Sequence, residues 1–271
     1  MAEAPCIAFL QWALPRLGLR WPGFRSVHKL VCKRLGQRLR ELGLRDLAAY
    51  RNRLEGDPGE WREFDALCWI PISRFYRDRS VFEALERDVL PALSAAAAAE
   101  GRDRLACWSA CCASGEEPLT LAILWRLRLG QPFPRLRVLA TDIDPQVLDR
   151  GRAGCYRASS LKALPAELLA EAFESREAHW YVREEFRCVE FRQQDIRESV
   201  PEEKFDLVLC RNAVLTYFAP ELQGEVMARV AATLRPGGAL VIGIHENLPD
   251  GLAGFEPWNG ERAVYRKLRN A

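Results

Sequence analysis

The residues of this chain best placed to do chemistry lie at the ends of two apolar runs. The stretch ACWSACCASGEE, residues 106–117, holds a run of small side chains from Cys111 to Gly115. It separates a strand-like run, residues 105–110, from a helical pattern over 118–129. A second apolar run, 136–141, ends directly in Asp142-Ile143-Asp144. Small residues let the backbone come close to a ligand, and an acid at a strand tip accepts hydrogen bonds from both hydroxyls of a ribose. Strand, small-residue turn, helix, strand, acid is the order of a Rossmann-type nucleotide site. Asp142 falls ~20–30 residues past the turn, near the dinucleotide spacing. The G-x-G-x-x-G fingerprint is nevertheless absent, and Gly115 is the only glycine of the turn. A pyrophosphate needs converging N–H groups at a helix start, where Glu116 and Glu117 would repel it. A cationic adenosine ligand with an amino group fits these acids better, which points to S-adenosylmethionine rather than NAD. The competing explanation is a glycine-poor turn whose paired glutamates simply complement the helix dipole.

The elements that position these residues follow from periodicity. Strands are expected over 187–192, 205–210 and 239–245, and helices over 145–153 and 220–234, the last stopped by Pro236-Gly237-Gly238. Residues 155–180 are expected to be mostly helical, with Pro165 starting a second helix, and residues 262–268 to form an antiparallel edge strand. Strands alternating with helices argue for an α/β parallel sheet covered on both faces. Ligands bind such sheets at the carboxyl ends of the strands. Residues 109–117, Asp142, Asp195, Arg211 and Asn212 all fall there.

Towards the start, residues 6–20 form a short amphipathic helix ending near Gly18. A second helix over 24–42 places Val31, Leu35, Leu39 and Leu42 on one face and Lys29, Lys33 and Arg40 opposite, with Arg34 on the flank and Arg38 at the stripe's edge. Gly43 ends it, residues 46–54 form another helix, 57–59 a turn, and 81–93 a helix leading into the sheet domain. The basic face is either a solvated surface or a docking surface for an acidic partner.

Composition narrows the classes. The chain has 271 residues and a net charge of +2 from 39 basic and 37 acidic side chains, which is no nucleic-acid polycation. No apolar run reaches the ~18 residues of a membrane helix. Residues 1–5 carry an acid and no basic region, so no secretory signal is expected. Of nine cysteines, Cys107, Cys111, Cys112, Cys188 and Cys210 are expected to act as small buried apolar residues in a reducing, cytoplasmic compartment. With no C-x-x-C pair and with His28, His179 and His245 far apart, no metal site is expected.

Taken together, KRLGQRLRELGL (33–44), ISRFYRD (72–78), WSACCASGEEP (108–118), ATDID (140–144), GCYRASSLKAL (154–164), QQDI (193–196), FDLVLCRN (205–212), TYF (216–218) and LRPGGALVIG (234–243) resemble the chemotaxis receptor glutamate methyltransferases, the CheR family. The resemblance spans residues 24–268. It implies a class I, Rossmann-like methyltransferase sheet (101–271) behind a linker and connecting helix (67–100) and a small all-helical N-terminal domain (1–66). It also implies S-adenosylmethionine as cofactor and methyl transfer to a protein glutamate. By position, Ser73, Arg77, Ala110, Glu117, Asp142, Ile143, Asp195, Ile196, Arg211 and Asn212 are implied at the cofactor. Arg77 and Tyr217 are implied in catalysis, with Tyr217 facing the transferring methyl. Lys33, Arg34, Arg38 and Arg40 would dock an acidic helical protein substrate, the enzyme acting as a monomer without nucleic acid or membrane insertion. Three departures stand out: four residues rather than three separate Asn212 from Tyr217, Pro71 replaces a frequent Asn, and Cys111 replaces Gly or Ala. No receptor-tethering or repeat domain is visible after residue 268. Two other readings stay open: the same fold acting on a small-molecule carboxylate, or a cofactor-binding sensor without catalysis.

Overall fold

The computed structural model describes residues 3–129 and 135–269. Part of the stretch expected to lack a secretory signal, and the last two residues, lie outside the described residues. The chain divides into two compact units: Met1–Ile70 with Thr216–Gln223, and Pro71–Leu215 with Gly224–Ala271.

The larger unit is built on ten strands: β1 Arg104–Ala110, β2 Arg135–Asp142, β3 Cys155–Arg157, β4 Phe173–Arg176, β5 His179–Val182, β6 Val189–Gln193, β7 Phe205–Leu209, β8 Leu234–Val241, β9 Phe255–Pro257 and β10 Val264–Lys267. Seven of them form one sheet in the order β6-β2-β1-β7-β8-β10-β9. From β6 to β8 the strands are parallel. The chain order reverses on either side of β1, so the switch point, where such sheets open a ligand crevice, lies between β1 and β7. Strands buried on both faces read as unbroken apolar runs. Accordingly all of β7 and the last four residues of β1 are buried, and the Trp108 indole donates to Thr141 Oγ1 of β2 at 3.0 Å. β10 runs antiparallel to β8, as expected for the final strand. It is not the edge, however, because β9 pairs on its outer side.

Residues 155–180 are not mostly helical. One helix, Ala166–Ala172, is flanked by a separate antiparallel sheet in the order β3-β5-β4. The cause is the β-prone run His179-Trp180-Tyr181-Val182, paired with β4 across a tight turn in which Glu177 takes φ 54°. The Tyr156 hydroxyl of β3 donates to the Ser114 carbonyl at 2.6 Å, so this small sheet is anchored on the loop after β1.

The smaller unit is helical: Glu3–Ala13, Trp21–Phe24, His28–Glu41, Leu47–Gly56 and Pro58–Leu67. Gly18 at φ 67° closes the first helix and its short extension, and Asp46 caps the fourth through the Ala49 N–H at 2.8 Å. The turn expected at 57–59 is a helix start, with Asp57 capping through Gly59 N–H and Pro58 in the first turn. The helix expected over 24–42 is broken before His28. Val31, Leu35 and Leu39 are buried among Phe9, Phe24, Tyr50 and Phe64. A Cys6–Cys32 disulfide ties the first helix to the third, with Cα atoms 6.1 Å apart. Odd cysteine arithmetic gave no hint of it.

Candidate functional site

After Ala110 the chain bends through Cys111, Ala113 and Gly115, all at positive φ. Two of the three are not glycine, a conformation that costs of order 1 kcal/mol each and persists where surrounding bonds enforce it. Those bonds are visible. Cys112 N–H donates to the Thr141 carbonyl at 2.9 Å, and Ala113 N–H donates to Asp142 Oδ2 at 2.8 Å. Gly115 has no alternative, because a Cβ there would lie 2.7 Å from the Phe191 ring. Asp142 Oδ1 accepts from Asp144 N–H at 3.0 Å. Asp144 itself is turned to Gln146 N–H, where it caps the Pro145–Ala153 helix. Asp142 is therefore the acid that faces the loop. Burial pushes its carboxyl above the usual range, while N–H bonds from Asp144 and Ala113 oppose the shift. Its two oxygens accept N–H groups from the protein, and a carboxylate oxygen can accept more than one hydrogen bond. Such a pair of acceptor oxygens fits the two hydroxyls of an adenosyl ribose.

The tips of β1 and β7 meet at Arg211. Ser109 Oγ donates to Glu117 Oε1 at 2.7 Å. Arg211 Nη1 donates to Glu117 Oε2 at 3.0 Å, and Nη2 donates to Asp78 Oδ2 and to the Arg77 carbonyl, both at 2.8 Å. The guanidinium also lies 5.3 Å from the Phe82 ring centroid. With its side chain only 2% exposed, Arg211 is turned into the protein. It positions Glu117 and residues 77–78 rather than presenting a free charge to a ligand. Next to it, Asn212 adopts φ 54°, which asparagine tolerates. Its N–H donates to Glu246 Oε2 at 3.0 Å, and the same oxygen accepts from Gly243 N–H at 2.7 Å. A Cβ on Gly243 would meet Asn212 Oδ1 and Glu246 Oε2, each at 2.8 Å.

Arg77 behaves differently. Its Nη1 donates to the Ile72 carbonyl at 3.1 Å, and among the described residues it makes no ion pair. Its acidic neighbours Asp78 and Glu117 are both held by Arg211. Ser73 is half-buried and Ala110 is buried. Ile143 accepts from Gln193 through its carbonyl. Ile196 is buried, whereas Asp195 is taken by Arg197, which grips both its oxygens at 2.8–3.1 Å. Asp78 and Glu246 were missed from sequence as site residues. The available signal was position alone, beside Arg77 and directly after the fifth parallel strand.

Tyr217 belongs to the helical unit. Its ring packs 5.0 Å from that of Phe24, and its carbonyl accepts from Arg20 N–H at 2.8 Å. Of the four basic residues expected to dock a partner, two are used inside this unit. Arg38 forks onto both oxygens of Glu60 at 2.9 Å, and Tyr50 donates to Glu60 at 2.8 Å. Arg34 donates to the carbonyls of Leu67 and Trp69. Lys33 and Arg40 are exposed, as is Lys29. Of the cysteines expected to be buried, Cys107, Cys112 and Cys210 are, Cys111 is half-buried and Cys188 is exposed at the start of β6. No helix among the described residues is long and apolar enough to cross a membrane.

This strand order, with an acid at the second strand tip and no phosphate-binding glycine triplet, is that of an open α/β nucleotide-binding sheet without the dinucleotide fingerprint. Known proteins bear this out. The family described as "CheR methyltransferase, SAM binding domain" matches residues 72–264, and "CheR methyltransferase, all-alpha domain" matches residues 27–65. The chain is 35% identical over 234 residues to chemotaxis protein methyltransferase 1 of Pseudomonas aeruginosa, covering 82% of this chain and 84% of that one. It is 35% identical over 228 residues to the chemotaxis protein methyltransferase of Salmonella typhimurium (80% and 75% covered) and 34% identical over 228 residues to that of Escherichia coli (80% and 76% covered). The chain belongs to the CheR methyltransferase family and is an S-adenosylmethionine-dependent methyltransferase.

Proposed function

We propose that the methyl acceptor is a carboxylate, the side chain of a glutamate on a protein partner. The observation that carries this is the guanidinium of Arg77, which bonds the Ile72 carbonyl but makes no ion pair among the described residues, while Arg211 holds Asp78 and Glu117. When bound, S-adenosylmethionine supplies a methyl carbon made electrophilic by its sulfonium. Asp142 would hold the ribose hydroxyls, and the loop at Ala110 to Ala113 would lie against the amino-acid portion. A glutamate is already ionised at pH 7, so no residue has to remove a proton. What remains is proximity and alignment. Arg77 would bind one acceptor oxygen by a charge-assisted bond, leaving the other to attack in line with the sulfonium. Tyr217 would orient the acceptor or the methyl. The sequences named chemotaxis protein methyltransferase support this reading, as does the exposed basic face at Lys29, Lys33 and Arg40, which suits an acidic helix. Seven of the nine cysteines are free, which suits a reducing compartment such as the cytoplasm, whereas the Cys6–Cys32 disulfide does not.

The test is incubation with methyl-labelled cofactor and a cell lysate. Release of the label as methanol in mild base is the expected result for an ester; label stable to base would mean that the product is not an ester and would overturn the reading. In the same assay Arg77→Ala should lose turnover by far more than cofactor affinity, and Tyr217→Phe should lower turnover with affinity unchanged. Wild-type turnover in either variant would remove that residue from the chemistry.

A further inference from the structure

The sheet unit holds a cavity whose lining includes none of Arg77, Asp142 or Arg211. Its volume is about 450 Å³, within the range of small-molecule sites. Its walls come from the start of the Glu116–Leu124 helix, the end of the Pro145–Ala153 helix, and β3, β5 and the residues just after β3. Charge is distributed along it in a definite order. At the buried end is Glu116, 4% exposed, whose Oε2 has no hydrogen-bond partner. Burial raises its carboxyl above the ordinary value; its own N–H, Ser73, Arg150 and Ser160 offset this only in part. At the open end are Arg150 and Arg157, both exposed. Among the described residues neither guanidinium makes a hydrogen bond or an ion pair with the protein. His179 stands beside Arg157 as its partner in the β3–β5 register.

Glu116 has no part in the cluster at Arg211. Its neighbour Glu117 meets Ser109 and Arg211, whereas Glu116 lines the cavity. An orphaned carboxylate oxygen in the interior is an expensive feature, and a donor from a ligand would satisfy it. A simple anion would meet the arginines but repel Glu116. A simple cation would meet Glu116 but pass two guanidiniums to reach it. We infer that this cavity is a second small-molecule site and that it takes a zwitterion of the α-amino-acid class. Its ammonium is bound by Glu116 with the Ser160 hydroxyl, and its carboxylate by Arg150 and Arg157. The cavity is larger than a backbone zwitterion, so a side chain has room.

The experiment is titration of the full chain with each of the twenty standard L-amino acids at neutral pH, by calorimetry and saturation-transfer NMR. It is run with and without saturating S-adenosylmethionine. At least one amino acid should bind with Kd tighter than about 1 mM, and should still bind when the cofactor is present. Arg157→Ala should weaken that binding about tenfold or more, as loss of one charge-assisted bond requires. Because the Arg157 side chain is exposed and makes no bond among the described residues, the variant should fold and keep its cofactor affinity. Glu116→Gln should weaken binding at least as much. Binding by none of the twenty, displacement by S-adenosylmethionine, or unchanged affinity in Arg157→Ala would each overturn the inference. Cofactor affinity measured on the same samples reports separately on the methyl-transfer site.

Discussion

Arg211 in the sheet unit and Arg38 in the helical unit both grip acids, half-buried in the first case and buried in the second, yet they leave different surroundings behind. Arg38, Glu60 and Tyr50 form a closed set: both Glu60 oxygens accept from Arg38, and Tyr50 adds a further bond. Arg211 bridges two acids that are distant in sequence, Asp78 and Glu117. By doing so it leaves the adjacent Arg77 uncompensated. The first arrangement stabilises a fold. The second fixes strand tips and leaves a neighbouring cation without an ion pair among the described residues. Whether a buried ion pair is part of a site depends less on the pair than on which neighbouring charge it leaves unmet.

Removing Arg211 should have the largest effect. Arg211→Ala leaves Glu117 and Asp78, with side chains 13% and 16% exposed, facing each other without a cation. Breaking such a pair costs about 3–5 kcal/mol, read as a lowered denaturation midpoint. A midpoint within error of wild type would mean that Arg211 does not brace the strand tips. Next is Asp142→Ala, which removes the acceptor for two N–H groups of the protein and for the ribose. Cofactor affinity measured by calorimetry should fall about 100-fold or more, in line with two lost bonds to a charged group. Undiminished affinity would displace Asp142 from the site.

The strand tips that carry the candidate residues were legible before any coordinates. A parallel strand buried on both faces is written as an unbroken apolar run, so the ends of such runs locate the strand tips. Asp142, Arg211 and Asn212 were found that way. What a residue does at the tip was less accessible. That Arg211 turns inward depends on Asp78 and Glu117, which only the folded chain brings together. Asp195 is closed off by Arg197, two residues away, a pairing that spacing permits but does not demand. The helical wheel placed Arg38 near the apolar stripe but could not show Glu60 waiting on another helix. The small sheet of β3, β4 and β5 was missed because its strands are three or four residues long, too short for period-two alternation to register. The Cys6–Cys32 pairing was beyond reach because spacing alone does not assign disulfides.

A smaller effect should come from Glu60→Gln, which tests the closed arrangement. Burial alone would raise the Glu60 carboxyl, but hydrogen bonds from Arg38 and Tyr50 outweigh it, and the net shift is downward from 4.5. A lowered folded value stabilises the fold above pH 4.5, and that contribution is lost as pH falls through the folded value. The wild-type helical unit should therefore loosen on acidification below pH 4.5. Glu60→Gln should already be weaker by about 1–3 kcal/mol at pH 7 and show less of that acid dependence. Hydrogen exchange in the Pro58–Leu67 helix of the full chain reads both. An unaltered acid profile in the variant would show that Glu60 is not the titrating group.

The smallest expected effect separates the two roles of the basic helix. Lys33 and Arg40 are exposed, while Arg34 and Arg38 are taken up inside the unit. Exposed charges contribute about 0–1 kcal/mol each and are screened by salt. The double variant Lys33→Ala/Arg40→Ala should thus leave the denaturation midpoint within error of wild type. It should also leave cofactor affinity unchanged. Against an acidic protein acceptor, methyl transfer at low salt should fall several-fold, mainly through slower association, and the difference should shrink as ionic strength rises. Arg38→Ala should give the opposite pattern, with stability lost and little dependence of the methylation rate on salt. If both variants lowered stability and neither changed the salt response, the basic face would be a solvated surface, and the partner would have to dock elsewhere.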